Sequence, residues 1–215
     1  MSWASKRTFW LSKRSIGRPV ADGTRERIIT EALRLFAEKG YAATSVGAIE
    51  EAAGLSPRSG ALYTHFGSKE EVMAAAVDDA VRLAETGFAL APMLPLGDLK
   101  AELTLVARGS LVLMNNWRNL IRVMTKERDH FPAVMADART RLFAKSHEFL
   151  AEWLASKAPD AAGRDFEAIT VIWLGALENY WLTCNLHDGP PFGMDEERFV
   201  QQWVGTLLLV LGDKR

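Results

Sequence analysis

Along this 215-residue chain, apolar residues recur three and four positions apart, and nowhere do they alternate with polar ones as a half-buried strand requires. The pattern predicts an all-α protein of about nine helices. The first runs over 24–39, with Ile28, Ile29, Ala32, Leu33 and Phe36 as its stripe, Thr24 placed to cap it and Gly40 to stop it. A short second helix, about 45–53, carries Val46, Ile49, Ala52 and Ala53, capped by Thr44 and ended by Gly54. Ser56-Pro57 then reads as N-cap and first residue of a third helix, with Leu62 and Phe66, four apart, as its buried edge. Ser68 followed by Glu71 is a capping box opening a long helix over 69–88, whose stripe is Val72, Met73, Ala76, Val77, Ala80 and Val81.

Pro92, Pro95 and Gly97 break the pattern over 89–98. Beyond them, helices are predicted at 98–115, 117–127, 132–157, 163–187 and 195–212, separated by Asn115-Asn116, Phe131-Pro132, 157–163 and the run 188–193. The last two are apolar nearly all round: Ile169, Ile172, Trp173, Leu174, Leu177, Tyr180 and Trp181 on one, Val200, Trp203, Val204, Leu207 and Leu211 on the other. Such a helix needs cover on both sides, and a second copy of the chain supplies it. Leu177, Trp181, Trp203 and Leu207 are the candidate dimer contacts.

Helix, turn with glycine, helix is the arrangement that seats a recognition helix in the DNA major groove. The stretch Gly40-Tyr41, Thr44, Val46, Ile49, Ala53-Gly54, Ser56, Leu62-Tyr63, His65-Phe66 and Ser68-Lys69-Glu70 resembles the tetracycline-repressor (TetR) family of bacterial regulators over residues 24–77. The resemblance implies an N-terminal three-helix DNA-binding domain on a larger helical domain for ligand binding and dimerisation, with a four-helix interface between two copies. The domain division expected is a disordered basic arm over 1–23, a helix-turn-helix domain over 24–67 and a ligand-binding and dimerisation domain over 68–215. It also implies that Tyr63, His65, Thr44 and Lys69 hold phosphates, while Arg58, Ser59, Gly60, Ala61 and Thr64 lie nearest the bases. One departure stands out. Members usually have two fewer residues between the turn glycine and the aromatic than Gly54 to Tyr63 contains, so roles around 57–59 do not transfer position by position.

Charge sharpens this picture. Residues 1–69 hold 11 Lys/Arg against 6 Asp/Glu, and the remainder 15 against 21, so a chain of net charge −1 has a basic first third and an acidic body. A polyanion is expected to meet only the first third. Lys6, Arg7, Lys13, Arg14 and Arg18, with breakers at Gly17, Pro19 and Gly23, make the arm a candidate minor-groove follower. One cysteine, Cys184, excludes an internal disulfide and fits a reducing compartment. No apolar run approaches the roughly 20 residues of a membrane span, and no secretory signal is seen. The expectation is a cytoplasmic, nucleoid-associated protein without membrane partners.

In the body, aromatic and sulfur side chains are gathered with a few polar ones. Trp117, Phe143, His147, Trp153, Trp173, Asn179 and Tyr180 are the candidate lining of a ligand pocket, near Met114, Met124, Phe149 and Glu178. Helical spacing of aromatics more often makes a core than a pocket, and only the family resemblance raises the pocket above that. Arg118, Arg122 and Lys126 read as a solvated face, as do Glu50-Glu51, Glu70-Glu71 and Asp78-Asp79. No nucleophile motif, phosphate loop, Cys-x-x-Cys or His pair at i, i+4 is present, so no enzyme, metal or cofactor is expected. The reading is a homodimeric repressor that leaves a pseudo-palindromic operator on binding a small, largely hydrophobic or aromatic effector. A helical sensor acting without DNA, an activator, and a DNA binder without inducer are the alternatives.

Overall fold

The computed structural model describes residues 23–90, 97–158, 163–186 and 189–212. The basic arm and most of the 89–98 loop lie outside them. The described residues are helical, with no strand among them, and none of their helices is long and apolar enough to cross a membrane. In order they are α1 (Thr24–Lys39), α2 (Val46–Ala52), a 3-10 turn at Leu62–Thr64, α3 (Lys69–Leu90), α4 (Leu99–Asn116), α5 (Arg118–Lys126), α6 (Pro132–Ala138), α7 (Lys145–Lys157), α8 (Phe166–Leu186) and α9 (Glu196–Leu211). A π-helical turn, Arg139–Ala144, joins α6 to α7 in one rod, so the single helix expected over 132–157 contains a wide turn near its middle.

Local chemistry explains most boundaries. Ser45, not Thr44, caps α2, its Oγ accepting from Ala48 N at 3.2 Å. Thr24 is the first residue of α1 rather than its cap, and its hydroxyl accepts from Arg27. Asp98, Asp165 and Asp195 accept from the amides of Ala101, Ala168 and Arg198 at the starts of α4, α8 and α9. At α3, Ser68 Oγ accepts from Glu71 N at 3.1 Å while the Glu71 carboxylate reaches back to Gly67 N at 2.6 Å.

The apolar stripes assemble two cores. One joins α1, α2, the 3-10 turn and α3 to α5, α6 and the π turn, through Ile28, Phe36, Ile49, Leu62, Val77, Leu120, Val123, Phe131 and Leu142. The other joins α4, α7, α8 and α9 through Leu103, Leu111, Leu154, Leu177, Trp181, Trp203 and Leu207. The core of the first three helices is therefore continuous with α5 and α6. Tyr41 ties this junction: its ring meets Phe131 edge-on at 4.5 Å, and its amide points to Glu127.

The dimer contacts expected on α8 and α9 are corrected here. Leu177, Trp181, Trp203 and Leu207 are all buried within one protomer. Trp173 and Trp203 lock the two helices together, each indole N–H donating to the other residue's carbonyl, at 3.3 and 2.9 Å. The exposed apolar side chains of these helices are instead Val171, Ile172 (62% exposed) and Leu209 (79% exposed). A helix apolar all round gives no phase from sequence, and the inner and outer stripes were exchanged.

Candidate nucleic-acid interface and effector cavity

The segment expected to be the recognition helix is not one regular helix. Residues 56–61 form turns, and only Leu62–Thr64 close a single 3-10 turn. Arg58 and Gly60 both have left-handed backbones, φ 60° and 75°. A helix cannot pass through such positions, so Pro57 does not start one. The end of this stretch is held by Glu50, whose buried Oε1 accepts from Leu62 N at 3.1 Å. Glu50 was expected on a solvated face; it is instead the clamp between α2 and the 3-10 turn. The Arg58 side chain lies over Gly47 of α2, where an added Cβ would stand 3.3 Å from Arg58 Cγ.

The other predicted contacts divide sharply. Tyr63 (59% exposed), Thr64 and His65 project from the 3-10 turn, and Arg58 and Ser59 are exposed beside it, with Gly60 and Ala61 half-buried. Thr44, at 1% exposure, is turned inward and donates from Oγ1 to Gly40 O at 2.8 Å. Its side chain cannot reach a phosphate. Lys69 is similarly engaged: Nζ donates to Tyr41 O at 2.8 Å and Thr44 O at 2.7 Å and sits 4.2 Å from the Tyr41 ring centroid. Partial burial lowers its pKa. This lysine fastens the 40–45 loop to the start of α3, a role that its position in the sequence did not reveal. The carboxylates assigned to open faces also have partners: Asp78 takes Arg141 of the π turn at 2.6 Å, and Asp79 takes Arg25 and Arg82.

Between the two cores lies a cavity of about 410 Å³. Of the residues expected around a ligand, Trp117, Phe143, His147 and Trp153 line it. Trp173, Asn179 and Tyr180 do not. Trp173 faces α9, Asn179 is exposed, and Tyr180 stacks on Phe199 at 4.0 Å and donates to Met194 O. The cavity face of α8 is Leu174, Leu177, Glu178, Trp181 and Leu182, at spacings of three and four. The sequence assigned Leu177 and Trp181 to the dimer instead. Ala84 and Phe88 of α3, and Leu120, Ile121 and Met124 of α5, complete the walls; α3 starts just after the 3-10 turn and α5 packs against α1. Among the described residues, no group of three or more His, Cys, Asp and Glu is placed to hold a metal ion.

Residues 28–76, the span of α1 to the middle of α3, match the family described as bacterial regulatory proteins, tetR family. Over this span the chain is similar to the TetR family. Over 64 residues it is 47% identical to the HTH-type transcriptional repressor AcnR of Corynebacterium efficiens. That stretch is 29% of this chain and spans only 33% of the relative. The TetR-family regulator PfmR of Thermus thermophilus superposes over 88% of this chain and 99% of its own, at 26% identity and a TM-score of 0.62. AibR, solved with isovaleryl coenzyme A and operator DNA, does so over 86% and 97%, at 19% identity and a TM-score of 0.62, a likeness of fold.

Proposed function

We propose that this chain is a homodimeric TetR-family transcriptional repressor released from its operator by a small, largely hydrophobic effector. The observation that carries the reading is the sharing of α3 and α5 between two tasks. Their inner faces wall the cavity, while α3 begins at the 3-10 turn and α5 packs on α1 through Leu120, Val123 and Met124. A molecule filling the cavity would press on both. It would shift the population toward the stance it binds more tightly.

Arg58, Ser59, Tyr63, Thr64 and His65 would form the DNA-facing surface, with Gly60 and Ala61 at its floor. Two such surfaces in a dimer would address successive major grooves about 34–36 Å apart. Within residues 23–69 the charges nearly balance, six Lys/Arg against five Asp/Glu, so most of the basic excess lies in the arm of residues 1–22. That segment would contribute most of the salt-dependent, sequence-independent attraction. Val171, Ile172 and Leu209 would meet their counterparts across the two-fold axis. The isovaleryl coenzyme A in the AibR complex carries a short acyl chain, which these apolar walls could also accept, but Arg118, Arg122 and Lys126 are absent from the lining and offer no phosphate site there.

The test is a genomic binding selection with purified protein, followed by titration of apolar compounds against the selected DNA. Release of DNA at the concentration that changes tryptophan fluorescence is the expected result. DNA binding that no cavity ligand alters would leave a regulator without an inducer. On the selected site, Arg58→Ala should cost about 1–3 kcal/mol at one base position and relax specificity there.

A further inference from the structure

The charged groups facing the cavity are unevenly chosen. They are two carboxylates, Glu102 and Glu178, and one imidazole, His147, with no lysine or arginine among the described lining residues. The internal segments outside the description, 91–96, 159–162 and 187–188, contain no lysine or arginine either. Glu102 is matched by Lys157, whose Nζ lies 2.5 Å from its Oε2. Glu178 is different: no described group makes an ion pair or hydrogen bond with it. It stands half-buried in an apolar wall, where a carboxylate without a partner is costly to keep charged. Burial raises its pKa, and His147 opposes that rise in part. His147 itself is held by Phe143 O, 2.8 Å from Nδ1, so only its Nε2 is left to offer.

The surroundings favour a positive charge as well. Trp117 and Trp181 line the same space, as does Trp153, whose ring already has Lys157 Nζ 5.4 Å from its centroid. The Trp181 N–H is already donated to Asn115 Oδ1 at 2.9 Å, so its ring is what remains for a ligand. Aromatic faces attract cations, most strongly where water is excluded. An anionic headgroup, by contrast, would meet a carboxylate and find a single imidazole nitrogen in compensation.

We propose that the cavity takes a lipophilic amine or quaternary ammonium compound, its cationic nitrogen at Glu178 and its apolar body against the tryptophans. This rests on the effector reading above and fixes the charge class of the molecule. It displaces a fatty acid or an acyl-coenzyme A as the favoured occupant. Glu178 would then be a group whose cost in the empty protein is recovered when the ligand arrives.

The experiment uses three probes on one skeleton, 4-phenylbutylamine, 4-phenylbutanol and 4-phenylbutyrate, titrated against the intrinsic tryptophan fluorescence of the full-length protein. The amine is expected to bind on the order of tenfold more tightly than the carboxylate, with the alcohol between them. Glu178→Gln should bring the amine down to the level of the alcohol and leave the alcohol unchanged. Equal or tighter binding of the carboxylate to the wild-type protein overturns the proposal, and that comparison needs no variant to fold. An amine preference that survives Glu178→Gln in a protein of unchanged circular dichroism also overturns it. If none of the three binds, the amine proposal falls, whereas the broader reading falls only if no apolar compound releases the selected DNA.

Discussion

Glu50 is fully buried in a seven-residue helix, with one carboxylate oxygen accepting from Leu62 N and the other without a hydrogen-bond partner among the described residues. Removing the acceptor would leave a buried amide unsatisfied. Glu50→Ala should therefore lower the unfolding free energy by about 1–3 kcal/mol, measured by urea denaturation. Glu50→Gln keeps the acceptor and removes the charge, and should retain most of the stability. A harmless alanine would mean that α2 holds the 3-10 turn by packing alone. Glu178 presents the opposite case. Because its pKa in the folded chain is raised, folding takes up a proton there. The stability it contributes is complete below the ordinary carboxylate range and is lost as pH rises through the folded value. The other titratable groups around the cavity are His147 and the Glu102–Lys157 pair. Ligand-free Glu178→Gln should thus gain in melting temperature over wild type as pH rises from about 4 to 7. A difference that does not change with pH would show that Glu178 is fully solvated.

Among the elements, the least regular one bears the proposed recognition surface. The segment 56–66 is held by an α2 acceptor at one end and by a close approach at the other, where Gly47 admits the Arg58 turn. Gly47→Ala is favoured by helix propensity by about 1 kcal/mol, but its Cβ would crowd Arg58. Little net change in stability, with weaker operator binding, is the expected outcome; unchanged binding would detach the turn's position from recognition. Lys69→Ala removes two bonds to loop carbonyls and should cost about 1–3 kcal/mol of stability. It should leave the salt dependence of DNA binding unchanged, where loss of a phosphate contact would flatten the slope by about 0.9. Regular pattern made α1 and the stripe of α3 readable from sequence, because one face of each is buried and the other is wet. The same reasoning misread 56–66: proline after serine imitates a helix start, and nothing in a one-dimensional pattern announces two left-handed residues. It also misplaced Trp173 and Trp181, since a helix lacking a polar face hides which aromatic turns toward the cavity. Thr44 and Lys69 failed differently. Their residue types suit a phosphate, but their distances to loop carbonyls are set by the fold.

For the molecule as a whole, nearby residues on α9 would separate folding from assembly in the proposed dimer. Leu207 is completely buried and Leu209 is 79% exposed. Leu207→Glu should fail to fold or melt far below wild type, since it places an unpaired charge in a packed core. Leu209→Glu, alone or with Ile172→Glu, should fold normally, sediment as a monomer and bind operator weakly. A dimer that persists in the double variant would place the subunit contact on another face.

Leu120 and Met124 each touch two worlds: they wall the cavity and belong to the core that supports α1. Leu174, Glu178 and Leu182 touch the cavity from a helix with no part in that core. Anyone adapting this protein as a biosensor would meet this asymmetry at once. Libraries built on α8 would change which compound is detected while leaving the output stage intact. Libraries built on α5 would alter analyte and baseline together, so that a leaky sensor and a retuned one would emerge from the same substitutions.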